Sequence, residues 1–136
     1  MRLQASVGAM LLVGVAAGAC DRSPGTVAWH GHVLQEVRSV AQLPPAIRSS
    51  LGVDRGPEGV ADRGRPFNVT DVVDARLPMR RFLVAGHDVD TWIVAIEHGG
   101  RAYRVEVALF TADNPVPQRW VLNDRPSTLA DVVRNL

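Results

Sequence analysis

Apolar and polar positions form a strand-like pattern between residues 80 and 123. Four segments there have the length and apolar content of strands: RRFLVAG, TWIVAIEH, RAYRVEVALF and PQRWVLN. Turn-forming stretches such as HDVD and ADNPV separate them. The pattern therefore predicts a four-stranded antiparallel meander sheet over about 80–123.

Two glycines suggest the register of the second and third segments. Gly99 and Gly100 suit a two-residue hairpin turn, because glycine readily takes the positive φ that both central positions require. Such a turn opposes Ile96 to Tyr103. One face of the pair is then apolar and the other mixed, which is typical of a sheet buried on one side.

A short helix is predicted upstream of the sheet, over about 44–51. Leu43, Ile47 and Leu51 recur at the helical interval of four residues. Pro44 stands where a first helical turn tolerates proline, and Gly52 stands where helices commonly end. The preceding segment HVLQEV fits either one face of a helix or a strand, and the pattern leaves both open.

A second helix is predicted at the carboxyl end, over about 128–136. Thr128 and Asp131 have the spacing of a capping box. Apolar residues then recur with helical spacing at positions 129, 132, 133 and 136. We expect both helices to cover the apolar face of the sheet, which gives an α+β fold.

The first nineteen residues differ from the rest of the chain. Residues 1–6 carry one positive charge, and residues 7–19 are apolar, small and uncharged. Such a run is shorter than the roughly 20 residues that cross a bilayer core, and it has the length of a signal-peptide hydrophobic region. Cys20, the chain's one cysteine, follows directly.

The stretch AAGAC at 16–20 resembles the lipobox of bacterial lipoprotein precursors. Gly18, Ala19 and Cys20 match that pattern, whereas Ala17 stands where leucine is usual. The resemblance implies that diacylglycerol is attached to the Cys20 thiol, that the leader is cut before it, and that the new amine is acylated with a fatty acid such as palmitate. AGA at 17–19 also fits an ordinary secretory cleavage site, which would leave a free thiol.

The domain organisation that follows is a lipoprotein signal peptide at 1–19, a lipidated cysteine and tether at 20–28, and a single α+β domain at 29–136. An exported protein with one cysteine forms no internal disulfide, and lipidation removes a thiol that would otherwise mispair. The expected location is the bacterial cell envelope, with the domain anchored to a membrane and facing the periplasm or the cell exterior.

Charge excludes one class of partner. The chain has 15 Lys+Arg, all arginine, and 14 Asp+Glu, and removal of Arg2 with the leader balances them. A neutral domain has no basic field to attract nucleic acid. The predicted partners are the bilayer, through acylated Cys20, and a protein of the envelope.

The turn after the first predicted strand carries the best candidate ligand residues. His87, Asp88 and Asp90 gather there, and the carboxylate oxygens of the two aspartates suit a hard cation. His98 ends the second strand, so it lies at the opposite end of the sheet and cannot share an ion with His87. His30 and His32 form a weak ligand pair nearer the amino terminus.

No sequence motif indicates catalysis or a cofactor. The chain has no G-x-S-x-G, and its serines have no histidine or acid at a telling spacing. Residues 66–74 and 80–100 resemble segments of uncharacterised bacterial proteins, which implies no activity. We expect a non-catalytic module that binds a protein or ligand. The alternatives are a periplasmic enzyme inhibitor resembling lysozyme inhibitors, or a small metal-binding or hydrolytic protein using the 87–90 turn.

Overall fold

The computed structural model describes residues 24–136. Within them, six strands pair antiparallel in chain order and form one meander sheet. The strands are β1 Thr26–Trp29, β2 His32–Val37, β3 Arg80–His87, β4 Thr91–His98, β5 Arg104–Thr111 and β6 Asn114–Leu122. The helices are α1 Pro45–Leu51 and α2 Leu129–Arg134, with single 3-10 turns at Val40–Gln42 and Gly56–Glu58. The predicted α+β class and antiparallel sheet are confirmed, but the predicted number of strands is wrong.

The two additional strands precede the predicted sheet. β1 and β2 form a hairpin whose turn residues, His30 and Gly31, have φ of 45° and 83°. Positive φ at both positions is what the tightest hairpin turn requires. Residues 26–28 therefore belong to β1 and not to the predicted tether. β2 pairs with β3 through Gln35 and His87, and this pairing selects the strand alternative for HVLQEV.

The sheet separates two core layers, and a β-bulge in β3 changes the layer to which its side chains point. The pairing with β4 skips from Phe82–Ile96 to Val84–Ala95 and leaves Leu83 as the extra residue. Because one extra residue reverses the alternation of side chains, Phe82 and Val84 are buried on opposite faces of the sheet.

The two helices lie on opposite faces, whereas the sequence predicted that they share one. Ile47 and Leu51 of α1 pack in the cluster that contains Val94 and Ile96. Leu129 and Val132 of α2 pack in the other cluster, with residues 93 and 95 of β4. Neighbouring residues of a strand point to opposite faces, so β4 is buried on both. Within residues 24–136 no helix has the length and apolar content needed to cross a bilayer.

The helix ends agree with the sequence. Gly52 ends α1 in the left-handed region with φ 64°, as expected of a glycine at this position. Thr128 and Asp131 form the predicted capping box at the start of α2. These local signals depend only on near neighbours along the chain, and the structure confirms them.

The predicted register of β4 and β5 is wrong. Ile96 pairs with Glu106 instead of Tyr103, a displacement of three residues. Residues 99–103 together connect the two strands. Gly99 is needed for a close approach rather than for a tight turn, since a Cβ there would lie 1.6 Å from the carbonyl oxygen of Asn68.

Candidate functional site

The sheet has two ends, and each carries a group of polar side chains. The "His32 end" comprises the β1–β2 turn, the β3–β4 turn at 88–90 and the β5–β6 turn at 112–113. The "Gly99 end" comprises the β4–β5 connection at 99–103 and the loop at 67–79. Each end of the sheet is therefore a candidate surface for binding or catalysis.

At the His32 end, the structure brings together His32, Asp88 and Asp90. One ligand-capable atom from each lies within 4.8 Å of the others. His32 Nδ1 is 2.5 Å from Asp88 Oδ2. The pairing of β2 with β3 creates this contact between residues that are 56 positions apart in the chain.

Asp88 is held as a carboxylate by its neighbours. The hydrogen bond with His32 lowers the pKa of Asp88, and the backbone N–H groups of Asp90 and Thr91 lower it further, against a partial opposing effect of burial. Thr91 N donates to Asp88 Oδ1 at 3.0 Å. One carboxylate therefore closes the turn with one oxygen and binds His32 with the other.

His87 does not join the cluster predicted for it. Its ring stacks on Trp92 at a centroid distance of 4.4 Å, because the two residues are direct partners across β3 and β4. His32 occupies the place expected for His87 beside the two aspartates. The HGH sequence signalled His32 as a candidate ligand, but only the pairing of β2 with β3 identifies its partners.

The predicted separation of His87 and His98 is confirmed. His98 pairs with Arg80 at the Gly99 end. Burial lowers the pKa of His98, and the nearby Glu106 carboxylate partly offsets that effect.

A pocket of about 410 Å³ adjoins the His32 end. It opens between α1 and the strand ends of β4, β5 and β6. Apolar side chains form most of its wall, and the polar groups are few. The residues around it are Pro44, Ala46, Ile47, Ser50, Val89, Asp90, Trp92, Phe110, Thr111, Ala112, Asn114 and Pro115. Asp90 therefore belongs both to this pocket and to the His32 cluster.

The Gly99 end holds a buried carboxylate. Glu97 is only 7% exposed, and it accepts hydrogen bonds from Arg81 Nε and from the Tyr103 hydroxyl, each at 2.7 Å. The guanidinium of Arg125 lies 3.8 Å from the centre of the Tyr103 ring. These contacts satisfy the buried charge and fix the β4–β5 connection.

Cys20 and the predicted signal peptide at 1–19 lie outside the described residues. Comparison with known proteins places the chain in no family: no protein-family model, curated protein or solved structure matches it.

Tyr103, the chain's one tyrosine, allows a direct test of the Glu97 cluster. Burial raises the pKa of Tyr103 to about 12, and the hydrogen bond to Glu97 contributes. We expect the ultraviolet absorbance of tyrosinate to appear with a midpoint near that value, compared with about 10 in the unfolded chain. The raised pKa of Tyr103 also contributes to the free energy of unfolding. This contribution is fully present below a pH of about 10, where the hydroxyl is protonated in both states, and it is lost as the pH rises through the folded-state pKa.

The substitution Glu97→Gln should lower the Tyr103 midpoint, because it removes the negative charge beside the hydroxyl. Glu106→Gln is the matched control, since Glu106 pairs with Arg119. Equal midpoints in the wild type and Glu97→Gln would show that this carboxylate has no influence on Tyr103.

Proposed function

We propose that this protein is a lipoprotein of the bacterial cell envelope, anchored through acylated Cys20, and that its domain is a non-catalytic binding module. The anchor is supported by Gly18-Ala19-Cys20 after an apolar segment. The pocket beside α1 is the single observation that supports ligand binding.

The pocket has the size and lining of a small-molecule or side-chain site. Its volume of about 410 Å³ falls within the range of roughly 300–1,000 Å³ typical of such sites. Trp92, Phe110 and Ile47 provide apolar wall, while Asp90 and Asn114 lie at the rim. Side chains of this kind bind an apolar body and fix its orientation with a few polar contacts.

The carboxylate of Asp90 at the rim of the pocket favours ligands of one charge. The carboxylate of Asp90 is exposed, and it accepts a hydrogen bond from the Thr91 hydroxyl at 3.1 Å. A cationic or hydrogen-bond-donating group completes its coordination, whereas an anionic group is repelled. We therefore expect the occupant to be an apolar group that carries an amine, either a free ligand or a side chain of an envelope protein.

Lipid attachment is tested by growing the native bacterium with a radiolabelled fatty acid. The mature wild-type protein should carry the label and sediment with membranes, because two or three acyl chains contribute about 0.8 kcal/mol per buried methylene. Cys20→Ser should lose both properties, since it removes the nucleophilic sulfur. An unlabelled mature protein that washes freely from spheroplasts would rule out the anchor.

Pocket binding is tested with fluorotryptophan-labelled protein, because Trp92 lines the pocket and Trp120 does not. Arylalkyl amines should shift the fluorine resonance of Trp92 more than matched carboxylates do. Asp90→Asn should weaken amine binding about tenfold, which corresponds to ~1.4 kcal/mol.

Ala46→Phe should also abolish the shift by filling the pocket. Ala102→Phe, at an exposed position of the Gly99 end, is the matched control. A Trp92 resonance that responds equally to amines and carboxylates, or equally in both variants, would contradict a selective pocket.

The grouping of His32, Asp88 and Asp90 favours a second candidate function, the binding of a divalent cation. One imidazole nitrogen and two carboxylates are ligand types that Zn²⁺ accepts. Because His32 Nδ1 and Asp88 Oδ2 are 2.5 Å apart, an ion must displace the proton between them and separate the two atoms. Water would complete the coordination.

Zinc binding is tested by thermal unfolding and calorimetry. Zn²⁺ about a hundredfold above its Kd should stabilise the wild type by about 2.7 kcal/mol. His32→Asn should abolish this gain. His30→Asn is the matched control, because His30 is exposed with φ 45°, a conformation that asparagine tolerates. Equal loss in both variants, or no heat of binding in the wild type, would exclude the site.

A further inference from the structure

Of the seven exposed valines among the described residues, three lie within five positions of one another on one loop of the Gly99 end. Val72 is 83% exposed, Val73 57% and Val69 43%. Met79, at the other end of the same loop, is 36% exposed. A run of large apolar side chains in water is unfavourable for an isolated domain, and it marks a surface that another phase or molecule covers.

The loop is held in a fixed shape by its neck. Asn68 is 4% exposed; its amide nitrogen donates to the carbonyls of Asp74 and Leu77, and its amide oxygen accepts from the N–H of Asp74. Gly99 N donates to Met79 O, and Gly100 N donates to Val69 O. The valines are therefore displayed on an ordered protrusion, which we call the "valine loop" (residues 68–77).

The charges beside the valine loop are mostly positive. Arg101 and Arg125 border the same concave surface as Val69, together with one acid, Asp71. Asp74 is neutralised by Arg76, whose Nη2 lies 2.7 Å from Asp74 Oδ2. An apolar tip beside exposed arginines is complementary to an acyl layer under anionic headgroups.

The chain enters the domain from the direction of the Gly99 end. β1 runs antiparallel to β2, and Glu36 N donates to Gly25 O at 2.9 Å. Glu36 pairs with Gly86, which in turn pairs with Ile93 of β4. β4 ends five residues after Ile93, at His98, a distance of about 17 Å along the strand. The five residues from Cys20 to Gly25 span at most about 18 Å. The anchor can thus reach the plane of the Gly99 end.

The same tether cannot readily bring the His32 end to the bilayer. To do so, it would have to reverse direction, which uses about four residues. It would then have to run the length of β1, whose four residues span about 13 Å. The length of the tether and the direction of the first strand together favour one orientation.

We propose that the valine loop docks on the bilayer that holds the acyl chains of Cys20, with Val72 and Val73 inserted at the level of the acyl chains and Arg101 and Arg125 among the headgroups. This inference rests on the proposed acylation of Cys20. The pocket and the His32 cluster then face away from the membrane, toward a partner or ligand in the aqueous compartment.

The test uses full-length lipidated protein in vesicles of phosphatidylethanolamine and phosphatidylglycerol. Cys20 is the only native cysteine and its sulfur is alkylated, so Val72→Cys provides one free thiol for an environment-sensitive fluorophore. Val33→Cys is the matched control, because Val33 is 65% exposed, lies next to His32 in β2 and does not line the pocket. Aqueous iodide and lipids with nitroxide-labelled acyl chains are the two quenchers.

Docking predicts that the fluorophore at position 72 is blue-shifted, protected severalfold from iodide and quenched by the nitroxide lipids. The fluorophore at position 33 should show none of these effects. Equal iodide quenching at both positions in vesicle-bound protein would overturn docking while leaving the anchor intact. Protection from iodide without nitroxide quenching would mean that protein covers the loop, and would also overturn it.

Failure of the anchor has a different signature. Protein that lacks the mass of a diacylglycerol group and does not float with vesicles would refute the acylation, and docking with it. In the Val72→Cys background, Val73→Asp should abolish protection while the protein still floats. Val116→Asp, on the exposed edge of β6, should leave protection unchanged. Equal protection in these two variants would contradict insertion of the loop.

Discussion

β4 is buried on both of its faces, and no single helix can cover both. Val94 and Ile96 pack under α1, whereas Ile93 and Ala95 pack under α2. Each helix is short, and stability comes from the apolar side chains that it places on the sheet rather than from helix formation alone. The bulge at Leu83 directs Phe82 to one layer and Val84 to the other.

Covering both faces leaves the ends of the sheet for interaction with other molecules. The His32 end combines a pocket with acidic and imidazole groups, and the Gly99 end combines exposed valines with arginines. In the proposed orientation one end contacts the bilayer and the other faces the aqueous compartment. In this proposal a short tether holds the domain close to the membrane, so modest apolar insertion would fix the orientation, although the net charge of the domain is close to zero.

The sequence identified parts of the candidate site but not its composition. Asp88 and Asp90 were recognised because they stand in a turn directly after a strand. The sequence groups them with His87, the nearest histidine along the chain, whereas strand pairing brings His32 beside them. The pocket could not be predicted, because its wall combines α1 with the ends of β4 and β5, and no local pattern reports how they meet.

Local interactions allowed the sequence by itself to determine the strand segments at 80–87 and 91–98, both helices, and the caps at Gly52 and Thr128. Only the tertiary structure decided the register of β4 and β5 and the placement of the helices. A pattern fixes register when one face is apolar and the other polar. Here both faces are apolar, so a shift of three residues leaves the pattern nearly as good. The local pattern also does not reveal that Gly99 is required by a long-range contact, because a Cβ there would lie 1.6 Å from the carbonyl oxygen of Asn68.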